Sequence, residues 1–380
     1  MNPADLDPSF SQDGVVTLDS GGLDYAQAVA AEPNGRILVA GRTSGEADEG
    51  IVYRLRSTGT LDPGFNGTGR RLLHEGDASS MHAVLRQPDG KALVAGHSST
   101  DTGDDAIVYR LTAQGKLDRT FNKTGRRRLD AGANAQAFAI VLQPDGKIVV
   151  AGYRYPSSDV AVWRLNPNGA LDKTFNGSGR VRIPSGQLEI AVGMARQSNG
   201  KIVLAVESDL RVAAYRLNAN GSLDTSFGVG GRVRFEDAII ERPHAVAIQP
   251  DGKIVIAGET GVNALVYRLK ANGSPDASFA GSGRLLVNGI EEAHAVLVQP
   301  DGRIVIGGSI GLDAAIARIN PDGSPDTSFD GDGARRIDLG MSEGVLALAR
   351  QADGRLLAAG WTTFNDNATV YRLIGGDGPG

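Results

Sequence analysis

The stretch QPDGKIVVAG, Gln143 to Gly152, decides how this chain of 380 residues is read. Close copies begin at Glu32, Gln87, Gln197, Gln249, Gln299 and Gln351, so the ten letters are written seven times. Pro-Asp-Gly between two apolar runs signals a tight turn and predicts a hairpin. Two further signatures recur in fixed order with it. One is an apolar run ending in an aromatic-Arg pair: Tyr53-Arg54, Tyr109-Arg110, Trp163-Arg164, Tyr215-Arg216, Tyr267-Arg268 and Tyr371-Arg372, with Ala317-Arg318 in one copy. The other is Leu-Asp-x-x-Phe before a Gly-rich run, with its Phe at 10, 65, 121, 175, 227, 279 and 329; Pro275 and Pro325 replace the Leu in two copies. The spacing is 50 to 56 residues. Repetition at that period overrides the expectation of two or three ordinary domains.

One repeat, HAVAIQPDGKIVIAGETGVNALVYRLKANGSPDASFAGSGRLLV from His244 to Val287, reads as four strands. AVAIQ and KIVIAG flank the turn, ALVYRL is the third strand and GRLLV the fourth. No helical period of 3.6 residues is present. Seven four-stranded units of this size predict an all-β, seven-bladed β-propeller with four antiparallel strands per blade. Val15-Val16-Thr17-Leu18 is a fourth-strand copy that precedes any first strand, and the last third-strand copy, at Tyr371, has no fourth strand after it. The N-terminal strand is therefore expected to complete the last blade, a 3+1 closure, with residues 1–380 forming one propeller domain.

These signatures resemble the delta-60 repeat family, a propeller repeat found in tandem in bacterial proteins. The resemblance rests on Leu223 to Gly231, Gln249 to Gly258 and the Tyr-Arg-Leu strand, and it covers nearly the whole chain. Two copies depart from the pattern, with Val206 in place of Gly and Ala317 in place of Tyr. The resemblance implies a fold and carries no catalytic motif.

Composition narrows the function classes. There is no Cys, which removes disulfides, thiolate metal sites and cysteine nucleophiles. No apolar stretch approaches the roughly 18 residues of a membrane span, and MNPADLDPSF is not a signal peptide. No phosphate-cradling loop, dinucleotide fingerprint or nucleophile elbow is present. No cofactor is expected, no metal site is assigned, and nucleic acid is not expected as a partner. An extracytoplasmic, monomeric protein is expected.

A feature written once per blade solves a once-per-blade problem. The repeated Asp (7, 62, 118, 172, 224, 276, 326) and the strand-three Arg are expected to pair and fix a loop, and the repeated Phe to wedge between blades. Function is then sought where the repeat is broken. The loops joining strands two and three, and those joining one blade to the next, share one face, here called the upper face. By loop, that face carries 25 acidic and 4 basic residues, against 19 and 35 in the remainder. Such a field favours a cationic partner and disfavours nucleic acid. The lower face bears Arg36, Lys91, Lys147, Lys201, Lys253, Arg303 and Arg355, which would suit an anionic surface.

Aromatics outside the signatures are Tyr25, Phe138, Tyr153, Tyr155, Phe235, Trp361 and Phe364, and all fall on or beside the upper loops. So do the histidines, His74, His82, His97, His244 and His294. His82, His244 and His294 occupy equivalent places, read as the first residue of the innermost strand; Gln27, Phe138, Val192 and Leu346 stand there in other blades. Tyr153, Arg154 and Tyr155 read as an arm beside Asp159.

Two functional readings follow. The first is a binding propeller that recognises a glycan or basic protein segment through Tyr25, Tyr153, Arg154, Tyr155, Trp361, Phe364, His244 and His294. The second is an enzyme of polysaccharide lyase or hydrolase type with His82, His97 or Tyr155 as base at the channel mouth. Asp101, Asp104 and Asp105 after His97 are its flanking carboxylates.

Overall fold

The structure is a computed structural model, described for residues 2–45, 48–101, 103–130, 134–155, 159–184, 186–235, 240–363 and 366–375. Seven four-stranded antiparallel sheets follow one another around a central channel, as the period predicts. Blade 5 has the strands Arg242–Ile248, Ile254–Glu259, Ala264–Leu269 and Arg284–Val287, from the axis outward. Its second and third strands are buried almost throughout, because neighbouring blades cover both faces. Every named element is a strand, and among the described residues no helix is long and apolar enough to cross a membrane.

The ring is closed by the chain ends. Val15–Leu18 pairs antiparallel with Asn367–Leu373 as the outer strand of blade 7, with Val15 opposite Tyr371. The preceding segment is also fastened: the Asp7 N–H donates to the Arg372 carbonyl at 2.8 Å, and the Ile374 N–H to Asp5 at 3.0 Å.

The repeated polar residues do form a staple. In each blade the strand-three Arg donates Nε–H to the Asp eight residues on, or to Asp7 in blade 7, at 2.6–2.9 Å. Its guanidinium lies 4.5–5.0 Å from the centre of the repeated Phe ring. The same Arg crosses to the next blade: Arg164 reaches the Ala219 carbonyl at 2.5 Å and Arg318 that of Gly375 at 2.7 Å. The seven Phe are at most 1% exposed. One residue type thus fixes a loop, a ring and the neighbouring blade.

The lower bases are not a free anionic-surface patch. Arg36, Lys91, Lys147, Lys201, Lys253, Arg303 and Arg355 each approach the staple Asp within 2.6–3.4 Å, so each has a carboxylate already. The upper acids are likewise partly spent within the fold. Outer-strand Arg residues meet them: Arg126 and Arg128 at Glu75, Arg180 at Asp130, Arg234 at Glu189 and Arg284 at Glu241. Loop-by-loop counting therefore overstates the upper-face field.

Candidate functional site

The innermost strands place the site. Each carries a β-bulge, and the extra residue is Gln27, His82, Phe138, Val192, His244, His294 or Leu346. These are the equivalent positions of the sequence reading, but they lie inside the strand and not at its first residue. A bulged residue is unpaired in the ladder, and the bulge bends its strand. All seven line the central cavity, of about 550 Å³. The bulge also explains the Gly that ends QPDGKIVVAG. A Cβ on Gly152 would lie 1.9 Å from the Gln136 carbonyl oxygen, so blade 3 needs a bare backbone there, whereas blade 4 carries its bulge opposite Val206.

Two further rings complete a funnel above the bulges. One is formed by the residues two places before the bulge, the other by their partners on strand two. The register pairs Tyr25 with Arg42, Ser80 with His97, Gln136 with Tyr153 and Ile190 with Glu207. It continues with Arg242 and Glu259, Glu292 and Ser309, and Gly344 and Trp361. The funnel is divided chemically. From blade 7 to blade 3 it is aromatic. Trp361 and Tyr25 have ring centres 6.4 Å apart, and the Arg42 guanidinium sits 4.6 Å from the Tyr25 ring. His82 lies 5.2 Å from His97 and 4.9 Å from Phe138, which lies 6.0 Å from Tyr153.

From blade 4 to blade 6 the wall is carboxylate and imidazole. His294 Nε2 is 3.0 Å from Glu292 Oε2, which also accepts from Ser309 Oγ at 3.1 Å. His244 Nε2 lies 3.6 Å from Glu259, and the two imidazoles are 4.7 Å apart. Arg242 approaches Glu207 at 3.6 Å and Glu259 at 4.0 Å. The bond from His294 holds the Glu292 carboxyl down at about 2, and the approach of His244 lowers Glu259. Each imidazole thus faces an ionised carboxylate, the pairing that orients a proton-transfer histidine.

The histidines of blade 2 behave differently. His82 Nε2 and His97 Nδ1 share a hydrogen bond at 3.0 Å. Burial, then His97 and Arg42, pushes His82 down to about 3, and burial lowers His97 despite Asp104. Asp104 accepts from Ser99 at 2.6 Å and its charge acts on His97, whereas Asp105 pairs with Arg128 at 2.9 Å. The His82 ring C–H resonances are expected to stay at their neutral positions from about pH 8 down to about pH 4 in an NMR titration. A midpoint near 6.5 would mean a solvated ring and return His82 to the general bases.

Other sequence-predicted residues separate. Tyr153 is in the funnel, but Arg154 turns away and lies 3.7 Å from Asp130. Tyr155 is 53% exposed at the strand end, and among the described contacts it meets neither His82 nor His97. The three do not form one arm. His74 pairs with Glu49 at 3.2 Å, and Phe235 stacks on Tyr267 at 3.8 Å, within the fold. Phe364 lies outside the described residues. Glu207, Arg242, Glu259, Glu292 and Ser309 had not been singled out. Their signal was positional: each follows the second-strand signature or stands two places before the bulge.

A family model described as "Domain of unknown function (DUF5122) beta-propeller" matches residues 32–65, 87–121, 143–175, 197–227, 249–279, 299–329 and 351–374. The chain belongs to the DUF5122 beta-propeller family. The matched DUF5122 segments run from the signature turn toward the staple Phe and leave all seven bulge residues outside. They describe the scaffold and not the floor of the funnel. No curated protein matches the chain by sequence. Among solved structures, virginiamycin B lyase from Staphylococcus aureus is similar in fold, with a TM-score of 0.60 at 10% identity over 94% of this chain and 98% of that one. A catalytically inactive histidine-to-alanine form of that lyase with quinupristin gives 0.59 over the same shares, also at 10% identity. A serine-to-alanine mutant of puromycin hydrolase complexed with PGG gives 0.53 at 14% identity, over 94% of this chain and 56% of that one. At such identities the likeness is one of fold.

Proposed function

We propose that the funnel binds a ligand presenting a ring face and a cationic group, as a glycan bearing amines or a basic protein segment does. The observation carrying this is the division of the wall, with Trp361, Tyr25, Phe138 and Tyr153 on one arc and Glu207, Glu259 and Glu292 on the other. Ring faces stack on sugars and attract cations, while carboxylates hold an ammonium or guanidinium. We equate the repeat with the delta-60 repeat and place the protein outside the cytoplasm, where a cysteine-free chain is indifferent to oxidation.

Calorimetric titration with chitosan oligosaccharides and, separately, with Lys- and Tyr-bearing peptides tests the reading and tells the sources apart. Trp361→Ala and Tyr25→Ala are each expected to weaken binding about tenfold, the loss typical of a buried aromatic anchor. Glu259→Gln is expected to weaken binding and flatten its salt dependence. Unchanged affinity in all three variants would remove the funnel from the argument.

One observation favours a second reading, an enzyme that moves protons in the same place: the His294–Glu292 contact at 3.0 Å beside His244. Two of the solved propellers similar in fold are a lyase, inactivated by loss of one histidine, and a hydrolase. On this reading His294, not His82, is the base, and activity surviving His294→Ala would end it.

A further inference from the structure

Blade 7 differs from blades 4 and 5 at a buried carboxylate. The place three residues before the bulge holds Glu189 in blade 4, Glu241 in blade 5 and Glu343 in blade 7. Glu189 accepts from the Tyr215 hydroxyl and from Arg234 at 2.9 Å; Glu241 accepts from Tyr267 at 2.6 Å and from Arg284 at 2.7 Å. Those guanidiniums come from the outer strand of the same blade. In blade 7 that strand is the N-terminal Val15–Leu18, and the register puts Val15 where Arg284 stands and Thr17 where Arg234 stands. Glu343, 1% exposed, has no guanidinium partner among the described residues. Its carboxylate accepts backbone N–H groups of its own loop, Met341 at 3.2 Å and Leu339, and its Oε2 is buried without a hydrogen-bond partner.

The carboxylates around it make the lack more pronounced. Asp313 and Asp338 of blade 6 bring one oxygen each within 4.8 Å of Glu343 and of one another. Arg336 offsets one of these charges by pairing with Asp313. The wall of blade 7 adds neutral oxygens. Asn367 and Thr369 alternate with residues packed toward blade 1 and share the side of Tyr371, which packs against blade 6. Asn367 is opposite Thr362, itself opposite Glu343, so these side chains lie on one face. Asn367 is 4% exposed and its Oδ1 has no hydrogen-bond partner; Thr369 is fully buried, with its hydroxyl beside that of Tyr371. Unsatisfied oxygens at such depth call for a donor or a cation.

We propose that the seam between blades 6 and 7 binds a calcium ion through Asp313, Asp338 and Glu343, with Asn367 and Thr369 supplying neutral oxygens, in place of the guanidinium that ring closure removes. Hard cations take such all-oxygen sets, and calcium tolerates their irregular geometry where magnesium does not. The site is separate from the funnel, and its failure would leave the funnel reading intact.

The test uses the full chain stripped of metal and titrated with Ca²⁺, with Mg²⁺ and with Tb³⁺, whose luminescence Tyr371 would sensitise. Binding with a Kd of about 10⁻⁵–10⁻³ M is expected, together with a Ca²⁺-dependent rise in Tm. Asp338→Asn, at an exposed carboxylate, is expected to weaken Ca²⁺ about tenfold. Thr17→Arg rebuilds the arrangement of blade 4; it is expected to raise Tm without metal and to abolish the response to Ca²⁺. No Tm response and no Tb³⁺ luminescence in the unaltered chain would overturn the proposal. So would a response undiminished in Asp338→Asn, which decides the matter alone if Thr17→Arg does not fold.

Discussion

Replacing Asp7 with alanine is expected to lower folding stability by about 3–5 kcal/mol, the loss typical when one partner of a buried ion pair is removed. Asp7 is 4% exposed and accepts from Arg372 Nε at 2.8 Å and Arg355 Nε at 2.6 Å, and from the Ser9 N–H and hydroxyl. Without it, Arg372 stays buried over the Phe10 ring with its charge uncompensated. Asp172→Ala breaks the equivalent pair with Arg164 in blade 3 and is expected to have a loss of the same size. The two variants should differ in kind. Asp172 staples a loop eight residues from its Arg, whereas Asp7 joins the two ends of the chain. Limited proteolysis is therefore expected to release the N-terminal strand early from Asp7→Ala and not from Asp172→Ala. Urea unfolding within about 1 kcal/mol of the parent protein would show that the staple is not a structural determinant.

The repeat was legible because its residues solve a local problem with local means. Pro-Asp-Gly makes its turn from three adjacent residues, and the staple spans eight. The Gln of the signature was legible as a repeated letter but not in its role: Gln249 and Gln351 donate to Gly302 and Gly35 in the turn of the next blade, at 3.0 and 3.1 Å. In blade 1 Glu32 holds that place and meets Arg86 of blade 2 at 3.6 Å. A bond between blades leaves no trace in a single period.

The candidate site was half legible for the same reason. Aromatics and histidines stood out once the signatures were subtracted, and the juxtaposition of Trp361 with Tyr25 follows from ring closure alone. The bulge did not stand out, because one extra residue in a strand of seven leaves the apolar pattern intact. Without it the inner strands read as beginning at the histidines. The second strands were likewise cut short after Gly, which assigned Glu207 and Glu259 to loops although both are strand residues. Charge was misjudged by counting within loops, since the cations that meet the upper acids belong to outer strands.

The same staples predict how the protein unfolds in acid. Burial alone would raise the staple carboxyls. Hydrogen bonds from Thr120 and Lys91 and the charge of Arg110 outweigh it at Asp118, and Thr174, Lys147 and Arg164 do so at Asp172, holding both at about 2. The other five are lowered as well. A depressed carboxyl contributes stability above its unfolded value, near 4, and loses it as pH falls toward the folded value. For Asp118 and Asp172 that is about 2 kcal/mol each, and the other five act in the same direction. His82 acts earlier. Its folded value is below the unfolded 6.5, so the unfolded chain gains the proton first and stability declines from about pH 6.5 downward. Urea midpoints measured against pH should show two limbs. A shallow one, of about 1.4 kcal/mol per pH unit for each proton, runs downward from near 6.5; His82 and His97 both contribute, and it is expected to become shallower in His82→Gln. A much steeper one follows below about pH 4, where several carboxylates titrate together, and it is expected to survive His82→Gln unchanged. A single uniform slope through pH 4 would mean that the seven Asp do not carry the fold's charge-dependent stability.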